Sequence, residues 1–174
     1  MGRQSGKSLI NRGGNDDIVV VEDIDSISTD YTPVPDVRSR SFTPQQKAVL
    51  ASRAEAFELN MELLKHTYET IEEELKGRRD YHQINMGFDQ IIKQNSVLNA
   101  KFLNFIKLAK DLGIPKKEVP NLYKEILRFY TEQSKEISEF YKEYGSYTKS
   151  ARKAQNYINK LTEKYMNDML KAMQ

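Results

Sequence analysis

Residues 121–174 read NLYKEILRFYTEQSKEISEFYKEYGSYTKSARKAQNYINKLTEKYMNDMLKAMQ. Taken at alternating steps of three and four, they give Tyr123, Ile126, Tyr130, Gln133, Ile137, Phe140, Tyr144, Tyr147, Ala151, Ala154, Ile158, Leu161 and Tyr165. This is an a/d heptad stripe held in one register, with Gln133 its only clearly polar member. The unbroken register predicts one helix over about 121–172. Such a helix of roughly 50 residues is about 75 Å long at 1.5 Å per residue. Gly145 interrupts the run, and a mid-helix glycine costs about 1 kcal/mol relative to alanine. Because the register does not shift across it, a continuous or gently kinked helix is expected, with a true break as the alternative.

Working back from that stretch, residues 44–76 carry a second stripe: Leu50, Ala54, Phe57, Met61, Leu64, Tyr68, Ile71 and Leu75. Thr43 is a good N-cap, Pro44 suits the first helical position and Gln46 completes a capping box. One helix over about 44–76 is expected, closed by Gly77 in the left-handed region. The opposite face carries Glu58, Glu62, Glu69, Glu72, Glu73 and Glu74. Asp80 caps a further helix over about 81–112, whose stripe runs Tyr81, Ile84, Phe88, Ile91, Asn95, Leu98, Phe102, Phe105, Ala109 and Leu112. Ile92 and Ile106 widen this stripe beyond a two-stranded seam, so the helix suits the centre of a bundle. Gly113 and Pro115 end it. The four residues Gly77–Asp80 make the two helices an antiparallel hairpin. The expected fold is therefore all-α: a long antiparallel helical hairpin plus a longer third helix, over residues 41–174, preceded by a disordered arm over 1–40.

Within that arm, residues 15–30 hold Asp16, Asp17, Glu22, Asp23, Asp25 and Asp30 with no base, a local charge of −6. Residues 146–174 hold six bases against two acids, a local +4. The chain as a whole is close to neutral at +2, so charge distribution says more than net charge. Ile18, Val19, Val20 and Val21 form a short β-prone run ahead of Glu22 and Asp23, suited to adding a strand to a partner's sheet. The run followed by Glu22, Asp23 and Asp25 resembles the SUMO-interaction motif over about eight residues. The alternative is an arm that packs on the chain's own helices or on another copy. Pro33 and Pro35 make 31–43 an extended linker.

The sequence argues against most catalytic chemistry. It contains no Cys and two His, so thiol nucleophiles and thiolate metal sites are excluded. Neither His stands in a Glu-x-x-His arrangement, the di-metal signature of helical bundles. Gly2, Gly6, Lys7 and Ser8 imitate a phosphate-binding loop, but only three residues separate the glycines where that loop needs four. No run reaches the 18 apolar residues that suggest a membrane span, and no secretory h-region is visible. The expected setting is intracellular: cytoplasmic or intravirion, or nuclear in a eukaryote. No cofactor, metal or membrane partner is expected.

The expected function is that of a non-enzymatic assembly, scaffold or adaptor protein. It would self-associate, or dock another protein, through a seam containing Asn95, Tyr144, Tyr147, Ala151, Ala154, Ile158, Leu161 and Tyr165. A buried Asn at a seam selects register and oligomer state. A tyrosine-rich stripe suggests a half-wet seam that another chain covers; ordinary core is the plainer alternative. The second expectation is an oligomeric nucleic-acid-binding factor. Lys149, Arg152, Lys153, Lys160 and Lys164 on the last helix, with Arg78 and Arg79 at the hairpin turn, would neutralise phosphates without reading bases. The layout of acidic arm and helical hairpin resembles that of small DNA-packaging subunits of large phages, although no motif carries the likeness. A small helical enzyme ranks last.

Overall fold

The computed structural model describes residues 41–144 and 148–174, and over these the chain is all-α. The helices are α1 (Pro44–Glu55), α2 (Glu58–Lys76), α3 (Tyr81–Asp111), α4 (Val119–Tyr144) and α5 (Lys149–Ala172), with a 3-10 turn at Lys116–Glu118 leading into α4. The acidic-hydrophobic segment Ile18–Asp23 and the seam residue Tyr147 lie outside the described residues.

Local chemistry sets the helix ends. The Thr43 hydroxyl accepts from Gln46 N–H at 3.1 Å and the Gln46 side chain accepts from Thr43 N–H at 2.9 Å, which closes the expected capping box. Asp80 caps α3 by accepting from the N–H groups of His82 and Gln83. Gly113 takes φ +74. Its N–H donates to Lys110 C=O, and Ile114 N–H to Ala109 C=O, a Schellman closure that only glycine enters without strain. The turn after α2 differs from expectation. Gly77 has φ −103, and the left-handed residue is Arg79 at φ +56. The Arg79 Nε–H donates to Leu75 C=O at 3.1 Å, so the side chain caps the helix that the glycine was expected to close.

The expected first helix is two. Ala56 N–H and Phe57 N–H bond back three residues, to Arg53 and Ala54 C=O. This tight turn separates α1 from α2. Beyond it α1 stays beside the C-terminal end of α3: Leu50 and Gln46 are buried, and the Gln46 amide donates to Leu112 C=O at 2.8 Å. Phe57, at the break, packs edge-on against Phe102 and Phe105 of α3.

The expected long third helix is also two. α4 ends at Tyr144, and α5 starts afresh with Thr148 as N-cap, its hydroxyl accepting from Ala151 N–H at 3.0 Å. α5 then returns along α4. Tyr165 packs near Tyr123 and Tyr130, and Asn159 pairs with Ser134. A continuous rod would leave the apolar face of 151–165 in water. The reversal buries Ala151, Ala154, Ile158, Leu161 and Tyr165, and apolar burial contributes about 25 cal/mol per Å².

Two antiparallel hairpins, α2–α3 and α4–α5, therefore form one four-helix bundle around a single apolar core. α5 packs on both α4 and α3, α2 packs chiefly on α3, and α2 and α5 lie across the bundle from each other.

Candidate functional site

The interior holds one polar layer. Asn95 of α3 and Gln133 of α4 are both fully buried. Gln133 Nε2 donates to Asn95 Oδ1 at 2.7 Å, and Asn95 Nδ2 donates to Gln133 Oε1 at 2.8 Å. Asn95 Nδ2 also donates to Ile91 C=O at 2.8 Å, and the Tyr68 hydroxyl of α2 donates to Gln133 Oε1 at 3.0 Å. Three helices are thus tied by amides and a phenol whose hydrogen-bonding groups serve one another. Burial, reinforced by Glu136, pushes the Tyr68 phenol well above its usual range, so it stays a neutral donor. The layer holds no group suited to nucleophilic attack or proton transfer at neutral pH.

One turn of the bundle away lies an aromatic cluster. Tyr130 stacks on Tyr165 with ring centroids 5.8 Å apart, and Phe102 meets Phe129 and Tyr130 edge-on. The Tyr165 hydroxyl donates to Asn99 of α3. Burial raises both the Tyr130 and Tyr165 phenols. Three of the tyrosines expected to make a half-wet seam, Tyr123, Tyr130 and Tyr165, are therefore core of a single chain.

The same holds for most of the expected oligomer seam. Asn95, Ala151, Ala154, Ile158, Leu161 and Tyr165 are buried against the chain's own helices, and Tyr144 is half-buried. A second copy would have to use other faces.

Those faces are sorted by charge. On α5 the buried side is opposed by Lys149, Lys153, Asn156, Lys160, Lys164, Asn167 and Lys171, all exposed. At 100° per residue they fall within one narrow sector that contains no acid. Lys164 pairs with Asp168 at 3.0 Å. Lys149, Lys153, Lys160 and Lys171 have no ion-pair partner among the described residues. On α2 the exposed side carries Glu58, Glu62, Glu69 and Glu73. Since α2 and α5 face away from each other, the bundle is negative on one flank and positive on the other.

The expected basic set is only partly assembled. Arg79 lies over the Tyr144 ring at 5.8 Å, which brings the α2–α3 turn to the end of the bundle where α4 stops and α5 starts. Arg78 and Arg79 thus join Lys149, Arg152 and Lys153 at that end. Arg78 is paired with Glu74, and that bond raises its pKa. Lys160 and Lys164 sit about 16 and 22 Å farther along α5. Sequence reasoning missed the role of Tyr68 and Gln133 in the polar layer. It also missed that the lysine and glutamate rows share a spacing, a signal that the residue numbers alone contained.

Among the described residues, no three His, Cys, Asp or Glu side chains come together as a metal-holding group, and no helix is long and apolar enough to cross a membrane. No family model, curated protein or solved structure matches this chain.

Proposed function

We propose that this protein is a non-enzymatic docking protein, an assembly, scaffold or adaptor subunit that joins macromolecular partners through the outer faces of its bundle. The observation that supports this is the separation of charge across a closed core: acids along α2, lysines along α5, and apolar stripes that satisfy one another inside. Side chains of one sign on one face steer and orient a partner more than they tighten it. An intracellular or intravirion setting goes with this reading. The test is light scattering on the full chain at low and high salt, alone and with a generic DNA duplex. Docking predicts a mass above the 20.2 kDa of one chain in at least one low-salt arm. A 20.2 kDa particle in all of them sinks the reading.

A second reading, nucleic-acid binding, is favoured by the four lysines of α5 that have no ion-pair partner among the described residues. Together with Lys164 they span about 33 Å of helix. Five phosphate contacts predict a log–log salt slope of about −4.5. A duplex bound with that slope, by a chain that does not associate with itself, makes this reading the correct one.

A further inference from the structure

The acidic row of α2 is Glu58, Glu62, Glu69 and Glu73; the lysine row of α5 is Lys149, Lys153, Lys160 and Lys164. Both advance by steps of four, seven and four. Each row occupies one face of its helix, since steps of four, seven and eleven residues return close to the same angular position. Each is about 22 Å long. The pattern reads the same in both directions, so the charges align whether the two helices meet parallel or antiparallel. The central gap holds half-buried Lys65 and exposed His66 on α2 and exposed Asn156 and half-buried Tyr157 on α5; Lys65 shares the sign of the lysine row, so the match is carried by the four glutamates that flank it.

We propose that the lysine row of α5 receives the glutamate row of α2 from a second copy of this chain. The inference rests on the docking reading above and names its partner. Within one chain the rows do not meet, because α2 and α5 lie across the bundle from each other. One pair of copies therefore does not satisfy both rows at once. The contact is heterologous, with the α5 flank of one copy on the α2 flank of the next, and it propagates as a ring or an open chain. Lys164 exchanges its half-buried partner Asp168 for a glutamate of the neighbour. Exposed ion pairs are individually weak and screened by salt, so the assembly is concentration-dependent and dissolves as salt rises.

The test uses full-length chains and light scattering, with circular dichroism confirming helix content. One variant reverses the lysine row (K149E, K153E, K160E, K164E) and another reverses the glutamate row (E58K, E62K, E69K, E73K). A third carries both reversals, which leaves the formal net charge at +2. The unaltered chain is expected to gain mass with concentration at low salt and to return to 20.2 kDa at high salt. Each single-row variant is expected to stay at 20.2 kDa, and the doubly reversed chain to assemble again with itself but not with the unaltered chain. If a single-row variant loses helix, glutamine replaces the reversed residues of that row. Single-row variants that assemble like the unaltered chain overturn the inference while leaving the docking reading intact, with another face as the contact. A doubly reversed chain that stays monomeric also overturns it. An unaltered chain that is monomeric alone but binds duplex overturns it and gives the lysine row to nucleic acid.

Discussion

Asn95 and Gln133 exchange two hydrogen bonds, at 2.7 and 2.8 Å, across the buried centre of the bundle. Each occupies an a/d position of its own helix, and only one alignment of α3 and α4 lets the two amides meet. The pair therefore fixes the register between the two hairpins, with the Tyr165–Asn99 hydrogen bond as a second tie between them. Tyr68 extends the same constraint to α2.

Removing one partner strands the other. Asn95→Leu leaves the Gln133 amide N–H without its acceptor, and an unsatisfied buried polar group costs about 1–3 kcal/mol. Replacing both, as Asn95→Leu with Gln133→Leu, removes the stranded group and is expected to recover much of that loss. The Tyr68 hydroxyl then lacks its acceptor, so recovery is incomplete. Urea denaturation of the two single variants and the double variant forms the cycle. Additive losses would show that the amides do not act as a pair.

Gly87 of α3 lies close against Ile71 of α2. A Cβ there would lie 2.5 Å from Ile71 Cγ1 and 3.0 Å from Ile71 Cδ1. In an open helix Gly→Ala gains about 1 kcal/mol. Here overpacking, at about 1–3 kcal/mol, opposes that gain, and Ile71 is fully enclosed in the core with little room to yield. Gly87→Ala is expected to destabilise the protein, and adding Ile71→Ala is expected to make the alanine at 87 favourable. Thermal melts of the four chains check the change of sign.

How much of this was legible beforehand divides by physical scale. Period and caps are local, and they located every stripe, the Thr43 capping box and the glycine closure at Gly113. Stripe continuity is blind to chain reversal. Ala151, Ala154, Ile158 and Leu161 keep the phase of Ile137 and Phe140 whether the helix runs on or folds back, because a heptad register reports which side is apolar and not what covers it. The break at Ala56–Phe57 was hidden for a related reason. Phe57 belongs to the stripe, and Leu50 and Gln46 beyond the turn are still buried, so the apolar phase runs across the break without marking it. The acidic and lysine rows were visible as composition, but their separation across the bundle depends on that same reversal of α5.

Three buried phenols predict an alkaline limit. Tyr68, Tyr130 and Tyr165 all have folded-state pKa values raised above the ordinary 10.0, burial being the first cause in each. A raised folded pKa means that the native state holds its proton where the unfolded chain has released it. The stability contributed by the neutral phenols is therefore fully present below pH 10 and is lost as pH rises from there toward the folded values. Of the chain's ten tyrosines, these three are expected to add their share of the tyrosinate absorbance only as helicity is lost in an alkaline titration, since their phenols ionise only when the core opens. Tyrosinate appearing to full amplitude while the helices stay intact would contradict the burial.

Thr148 decides where the returning helix of the second hairpin begins. Its side chain accepts from Ala151 N–H at 3.0 Å, satisfying one of the free donors at the start of α5, and its carbonyl accepts the first bond of the helix, from Arg152 N–H at 3.1 Å. The Ala151 that it anchors is also the first buried residue of the returning helix. Capping and packing therefore start at the same point, and loss of the cap loosens the first turn that docks on the bundle. Thr148→Ala is expected to destabilise the protein by about 1 kcal/mol, whereas Thr148→Ser or Thr148→Asp, which keep an acceptor, is expected to hold stability within a few tenths of a kcal/mol. In a continuous helix running through this point, position 148 would be interior. Alanine, the best helix former, would then stabilise by a few tenths of a kcal/mol. The sign of the Thr148→Ala change in a denaturation curve thus separates a bundle of two hairpins from a hairpin with a projecting rod.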